Sequence, residues 1–208
     1  MNKTTLTTVM TLALALMLGS IGFAQTTFTV SATIPAATGI SITPSQVDSQ
    51  TNQFSAVSGT NLSFDPMSLD TQNGIYLPDH FFALDIGATG GAGSPTVTVT
   101  YTEGANPNSP GNGLGTKATA TFVKVEGTGS SEVQTGLTNH GPKKMLKNLS
   151  GEQVDGSEIA GGFLRIYLGI VTGDPNATFP DPTGSEVFTN ADAPGTYDGT
   201  LVISGTVS

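Results

Sequence analysis

Between Ala193 and Ser208 the chain reads Ala-Pro-Gly-Thr-Tyr-Asp-Gly-Thr-Leu-Val-Ile-Ser-Gly-Thr-Val-Ser. Beyond the Pro194-Gly195 turn, Tyr197, Leu201, Ile203 and Val207 fall on one face of an extended backbone. Thr196, Asp198, Thr200, Ser204 and Thr206 fall on the other, with Val202 the one apolar exception. A two-residue period over this length admits a half-buried strand and excludes an amphipathic helix. A strand of this kind belongs in a sheet, which the rest of the chain has to supply.

It does so repeatedly. Thr27–Ile34 alternates with Phe28, Val30, Ala32 and Ile34 on one face, and Pro35 follows. Pro35 is expected to end that strand or to bend it, since proline cannot donate to a ladder, and Ile40–Ile42 resumes the strand before Pro44. Ser45–Thr60 reads as a polar loop anchored by Phe54 and Val57, and Asn61–Phe64 as a short strand stopped by Asp65-Pro66. Tyr76–Ile86 predicts a core strand with Phe82, Leu84 and Ile86 inward. Thr96–Tyr101 and Ala118–Val125 flank a Gly/Asn/Pro-rich loop at 104–115, and the simple expectation is an antiparallel hairpin. Lys143–Leu149 fits either one helical turn or an edge strand with Met145, Leu146 and Leu149 inward. In Phe163–Val171, Leu164, Ile166, Leu168 and Ile170 share one face, and Phe163, Arg165 and Tyr167 the other. A Pro/Asp/Gly-rich loop around a short Val187-Phe188 strand leads to the terminal strand.

The expected fold is all-β: an Ig-like, two-sheet antiparallel β-sandwich of about seven to nine strands with little helix. No internal repeat points to a propeller or solenoid. Residues 1–24 read as a signal peptide, with Lys3 ahead of the apolar stretch Leu6–Ile21 and small residues before the expected cleavage after Ala24. Residues 25–208 are then one Ig-like β-sandwich domain, secreted to the periplasm or surface of a bacterium, with no membrane span after cleavage. The chain has no cysteine, so core and sheet have to stabilise it without disulfides. The formal net charge of −9 opposes binding to phosphate backbones, and nucleic acid is not an expected partner.

Chemical motifs are sparse. His80 and His140 lie in unrelated polar stretches and read as surface residues. No Ser stands in a Gly-x-Ser-x-Gly elbow, and the expectation is a protein that is not an enzyme and uses no cofactor. Asp174, Asn176, Asp181 and Glu186 crowd one loop with oxygen ligands of the type calcium takes. They lack any calcium-loop spacing, and turn formation is their expected role, so no metal site is assigned. Lys143, Lys144 and Lys147 form a basic group suited to an acidic partner, the protein's own acidic face or a guarded sheet edge. Arg165, between Leu164 and Ile166, has three routes: snorkelling to a rim, pairing with an Asp, or facing solvent. With Phe163 and Tyr167 it makes a candidate ligand patch for a glycan or partner.

The two ends together carry a resemblance. Thr27-Phe28-Thr29-Val30-Ser31-Ala32-Thr33-Ile34 with Leu62-Ser63-Phe64, and Ala193-Pro194-Gly195-Thr196-Tyr197-Asp198-Gly199-Thr200 through Val207, resemble the first strands and the last strand of the spore coat U family and of archaic chaperone–usher pilins. A related group of uncharacterised secreted β-sandwich domains shares both features. The chain departs from that pattern at Ala37-Thr38-Gly39, where relatives carry a cysteine, at Phe64-Asp65 in place of Phe-Gly, and at its non-aromatic end. The resemblance implies a secreted, fimbrium-like structural subunit or matrix component of the cell surface, assembling by β-strand addition. Expected partners are further copies of the chain or other surface subunits, and a periplasmic chaperone. The candidate assembly residues are Phe28, Val30 and Ile34 in the first strand and Tyr197, Leu201, Ile203 and Val207 in the last. The alternative function is a carbohydrate-binding or adhesive module using Phe163, Arg165 and Tyr167. The resemblance also places the last strand centrally, with Tyr197 anchoring its entry; its partner is either the chain's own Phe28–Ile34, as strand one of its own domain and the favoured reading, or another subunit's copy of that strand donated in trans.

Overall fold

The computed structural model describes residues 28–34, 39–89, 95–105, 113–127, 143–174 and 180–206, and for Phe28 the backbone alone. Among them are fourteen strands. One sheet contains β1 (Phe28–Thr33), β4 (Asn61–Ser63), β8 (Thr96–Glu103), β11 (Ser150–Val154) and β14 (Gly195–Thr206), in the order β11-β8-β14-β1-β4. The facing sheet contains β2 (Ile40–Asp48), β3 (Phe54–Ala56), β7 (His80–Ala88), β9 (Ala118–Glu126), β10 (Lys144–Met145) and β12 (Gly162–Ile170), in the order β10-β9-β12-β7-β2-β3. A small third sheet, β13-β6-β5, joins β5 (Met67–Asp70), β6 (Ile75–Pro78) and β13 (Phe188–Thr189). Among the described residues helix is confined to one turn at Leu114–Lys117 and a 3-10 turn at Leu146–Asn148. Among the described residues no helix is long and apolar enough to cross a membrane.

The protein is therefore an all-β sandwich, as the alternation predicts. Val30 of β1 and Ile34 just after it, Val97 and Val99 of β8, and Tyr197, Leu201 and Ile203 of β14 face one way. Phe82, Leu84 and Ile86 of β7, Phe122 of β9, and Leu164, Ile166 and Leu168 of β12 meet them to form one core. The strand number exceeds the expected seven to nine because several segments read as loops form short strands, and because the Tyr76–Ile86 stretch divides into β6 and β7.

Three differences from the sequence reading have clear physical causes. β2 runs straight through Pro44, opposite Leu84 of β7. The Pro44 carbonyl accepts from Val57 N on the β3 side. The N and C=O of one strand residue point the same way, so the missing N–H also faces the side where the β3 ladder stops. Second, Ser45–Ala56 is a hairpin. Asp48 Oδ1 accepts from Gln50 N (2.9 Å), Thr51 N (2.6 Å) and the Thr51 hydroxyl (2.9 Å), closing a polar turn that stacks Val47 on Phe54 across β2 and β3. Third, β8 and β9 do not pair. β8 lies between β14 and β11, whereas β9 lies between β12 and β10 in the opposite sheet. The buried turn Leu114–Lys117 leads into β9.

Lys143–Leu149 satisfies both readings of that stretch. Lys144-Met145 is an edge strand on β9, Leu146–Asn148 is a helical turn, and Met145, Leu146 and Leu149 are buried.

Candidate functional site

The first and last described strands are adjacent. β1 pairs with β14 in parallel, from Phe28 opposite Gly195 to Thr33 opposite Thr200. It is the single parallel pairing among the described strands. On its other side β1 pairs antiparallel with β4, Ala32 opposite Leu62. Val30, Ala32 and Ile34 are buried, and burying Val or Ile side chains contributes about 1.5–3 kcal/mol each. Phe64 N donates to Val30 O (2.8 Å) and Ile34 N to Thr60 O (2.9 Å), prolonging the β4 side of the ladder. β1 is thus an interior strand held by main-chain bonds on both edges.

β14 is central, between β1 and β8, and Tyr197, Leu201 and Ile203 face the core. Val207 lies outside the described residues. The Tyr197 hydroxyl donates to Ala193 O (2.9 Å), back across the turn that launches the strand. This is the bond a tyrosine corner makes. Its ring stands edge-on to Phe188, centroids 4.9 Å apart. Burial, reinforced by Asp192, raises the Tyr197 phenol above its ordinary value. Gly199 leaves room for the Tyr101 ring, which a side chain at that position would overlap.

The outermost strands are short or irregular. β4 and β3 have three residues each and β10 two. β11 has five, with a register shift between Ser150 and Glu152. Such edges resist adding another chain. The basic group serves one of them: Lys144 pairs with Glu152, while Lys143 Nζ meets Asp181 Oδ1 at 2.8 Å. Lys147 is exposed.

Arg165 takes the pairing route. It is fully buried on the outer face of the facing sheet, its Nε 2.5 Å from Asp85 Oδ1 and its Nη2 2.7 Å from Asp85 Oδ2. Asp85 is directly opposite on β7. The rings of Phe54, Phe163 and Tyr167 stand 4.9, 5.5 and 5.9 Å from the guanidinium carbon. Val47, Ala83, Val123 and Tyr167, with Phe54 and Phe81 beside them, form a second apolar cluster around this pair. Phe163, Arg165 and Tyr167 therefore stand together on one face, with Arg165 fully buried and Tyr167 buried as well.

His80 is buried, not a surface residue. Its Nε2 donates to Ser63 O (2.9 Å), its Nδ1 meets Asp79 Oδ1 at 2.6 Å, and its ring stacks beside Phe64 and edge-on to Phe82. Phe64, just after β4, and Phe82 of β7 flank it, a long-range packing that the neighbouring Asp79 in sequence does not disclose. His140 and Asn176 lie outside the described residues. Asp181 organises its own loop: Oδ2 accepts from Thr172 N, the Thr172 hydroxyl and Gly173 N. With Lys143 on the other oxygen, its acceptor capacity is taken by protein groups. Among the described residues no three His, Cys, Asp or Glu side chains are arranged to hold a metal ion.

One polar niche has no counterpart in the sequence reading. Lys117, at the end of the helical turn, is 2% exposed. Its Nζ lies 2.7 Å from Asp192 Oδ1, 3.0 Å from Val187 O and 3.9 Å from Glu186 Oε2, with the Phe188 ring 5.0 Å away. The only local signal is a cation placed directly ahead of an apolar alternating strand. Its partners come from a loop far along the chain.

Compared with known proteins, the chain matches no family model, no curated protein and no solved structure.

Proposed function

We propose that this protein is a non-enzymatic structural subunit of the cell surface, a pilin-like or extracellular matrix component delivered by its signal peptide, whose copies associate through the β1 position. One observation carries the reading: an interior strand of the sandwich is formed by the first described segment of the chain, in parallel with the last strand. The slot between β14 and β4 recognises an extended segment by main-chain bonds on both sides and by apolar side chains at alternate positions. Such a slot accepts the same segment from a neighbouring copy without a new interface having to be built. The short outer strands support the same reading, because they leave the β1 slot as the position where strand addition is favourable.

Electron microscopy and size analysis of the purified protein test the reading. Filaments or concentration-dependent multimers are expected. A protein that stays monomeric at every concentration, with no filaments on cells, sinks it.

A second reading, a carbohydrate-binding or adhesive module, is favoured by the Phe54, Phe81, Phe163 and Tyr167 rings gathered on the outer face of one sheet. It predicts glycan binding that Tyr167→Ala and Phe163→Ala weaken. A glycan array without hits dismisses it.

A further inference from the structure

We propose that Lys117 and Asp192 form an intramolecular isopeptide bond, with Glu186 relaying the proton, so that a covalent staple joins the helical turn to the loop before β14. The inference goes beyond the assembly reading and does not rest on it.

Three features of the niche carry it. The first is proximity: Lys117 Nζ is 2.7 Å from Asp192 Oδ1, and the amine is 2% exposed. Val187 O holds the same nitrogen at 3.0 Å and the Phe188 ring lies 5.0 Å from it, which fixes its approach. Well-oriented intramolecular reactions reach effective molarities of about 10⁵–10⁸ M. The second is activation of the carboxyl carbon. Asp192 Oδ2 accepts from Thr189 N at 2.7 Å and from the Thr189 hydroxyl at 3.3 Å. These donors stand where negative charge gathers when an amine adds to Cγ. The third is Glu186, whose Oε2 is 3.9 Å from Nζ and whose side chain still reaches water. Its backbone N donates to Thr116 O (3.1 Å), and Val171 N donates to Lys117 O (2.8 Å), so both sides of the niche are tied to the helical turn.

The step balances without any co-reactant. The ammonium of Lys117 passes one proton to Asp192 across the 2.7 Å contact, giving a neutral amine and a neutral carboxylic acid. Nζ attacks Cγ, the C–N bond forms, and the oxygen facing Thr189 takes the negative charge. Glu186 removes a second proton from Nζ and delivers it to the departing hydroxyl. The C–Oδ1 bond breaks, water leaves by the open side of Glu186, and the remaining oxygen becomes the amide carbonyl held by Thr189. One ammonium and one carboxylate become one secondary amide and one water. The product replaces two buried charges with a neutral group, which removes their desolvation cost.

Mass spectrometry of the denatured full chain, its N-terminus read by sequencing, tests the bond. The expected mass is lower than that of the sequence by one water, with a fragment in which the Lys117 and Asp192 segments are joined and trypsin fails to cut after Lys117. The Glu186→Gln variant is expected to fold, shown by an unchanged circular dichroism spectrum, and to keep the full mass. A wild-type chain at full mass, cut by trypsin after Lys117, overturns the proposal. Loss of water persisting in Glu186→Gln overturns the relay assigned to Glu186. A monomeric chain that carries the bond sinks the assembly reading alone, and an assembled chain without it sinks this inference alone.

Discussion

Val30 and Tyr197 lie opposite each other in a parallel register, one from the first described strand and one from the last, and both are buried. The pair ties the entry of β14 to β1, because the Tyr197 hydroxyl is also bonded to Ala193 O. Tyr197→Phe keeps the ring against Phe188 and deletes that bond. It is expected to destabilise the protein by about 1 kcal/mol, the usual worth of a neutral hydrogen bond. Urea denaturation measures it through a lower midpoint at unchanged slope.

Arg165 and Asp85 are a buried, bidentate pair under aromatic cover. Removing one member strips a buried charge of its bidentate partner, which costs about 3–5 kcal/mol in fully buried pairs. Asp85 keeps some contact with water, so Asp85→Ala is expected to cost about 3 kcal/mol. The double variant Arg165→Met/Asp85→Ala is expected to recover most of that loss, because the apolar cluster of Val47, Ala83 and Tyr167 accepts a Met side chain. Thermal melts of both variants check the order: the single change lower than the double.

Acid weakens the fold through its turn carboxylates. Burial raises the Asp181 carboxyl, but Lys143 and the Gly173 and Thr172 N–H groups outweigh it, and the net value lies below 3.8. Backbone and side-chain bonds from Thr51 lower Asp48 in the same way. A carboxylate whose folded pKa is depressed stabilises the fold above its unfolded pKa. That contribution disappears as pH falls through the folded value. Stability is therefore expected to be flat above about pH 5 and to fall below it. Asp181→Asn lowers stability at neutral pH and flattens the acid slope, which denaturation midpoints across the pH range will show.

The sandwich was legible wherever one face of a strand is wet and the other dry. Val30, Ala32, Ile34, Tyr197, Leu201 and Ile203 declare their strands and inward faces because burial imposes the two-residue period. What connects to what was less legible. Thr96–Tyr101 and Ala118–Val125 look like a hairpin, yet they join opposite sheets. A local pattern holds no record of which layer a strand joins. Pro44 misled because the cost of proline depends on which side its nitrogen faces. His80 misled most, and Lys117 drew no reading at all. Each is polar in sequence and buried in space, and the groups that satisfy them, Ser63 for one and Val187 and Asp192 for the other, come from distant segments.

The most direct test of the β1 slot uses Thr29 and Thr196, which are opposite in the parallel register and point away from the core. The natural chain has no cysteine, so the double variant Thr29→Cys/Thr196→Cys introduces the only thiols. Oxidation of the assembled protein, followed by non-reducing electrophoresis, reports whether β1 comes from the same chain or from a neighbour. Strand exchange between copies predicts a ladder of disulfide-linked multimers that reduction collapses. Cross-links confined to single chains, in material that is assembled by microscopy, would contradict assembly through this strand.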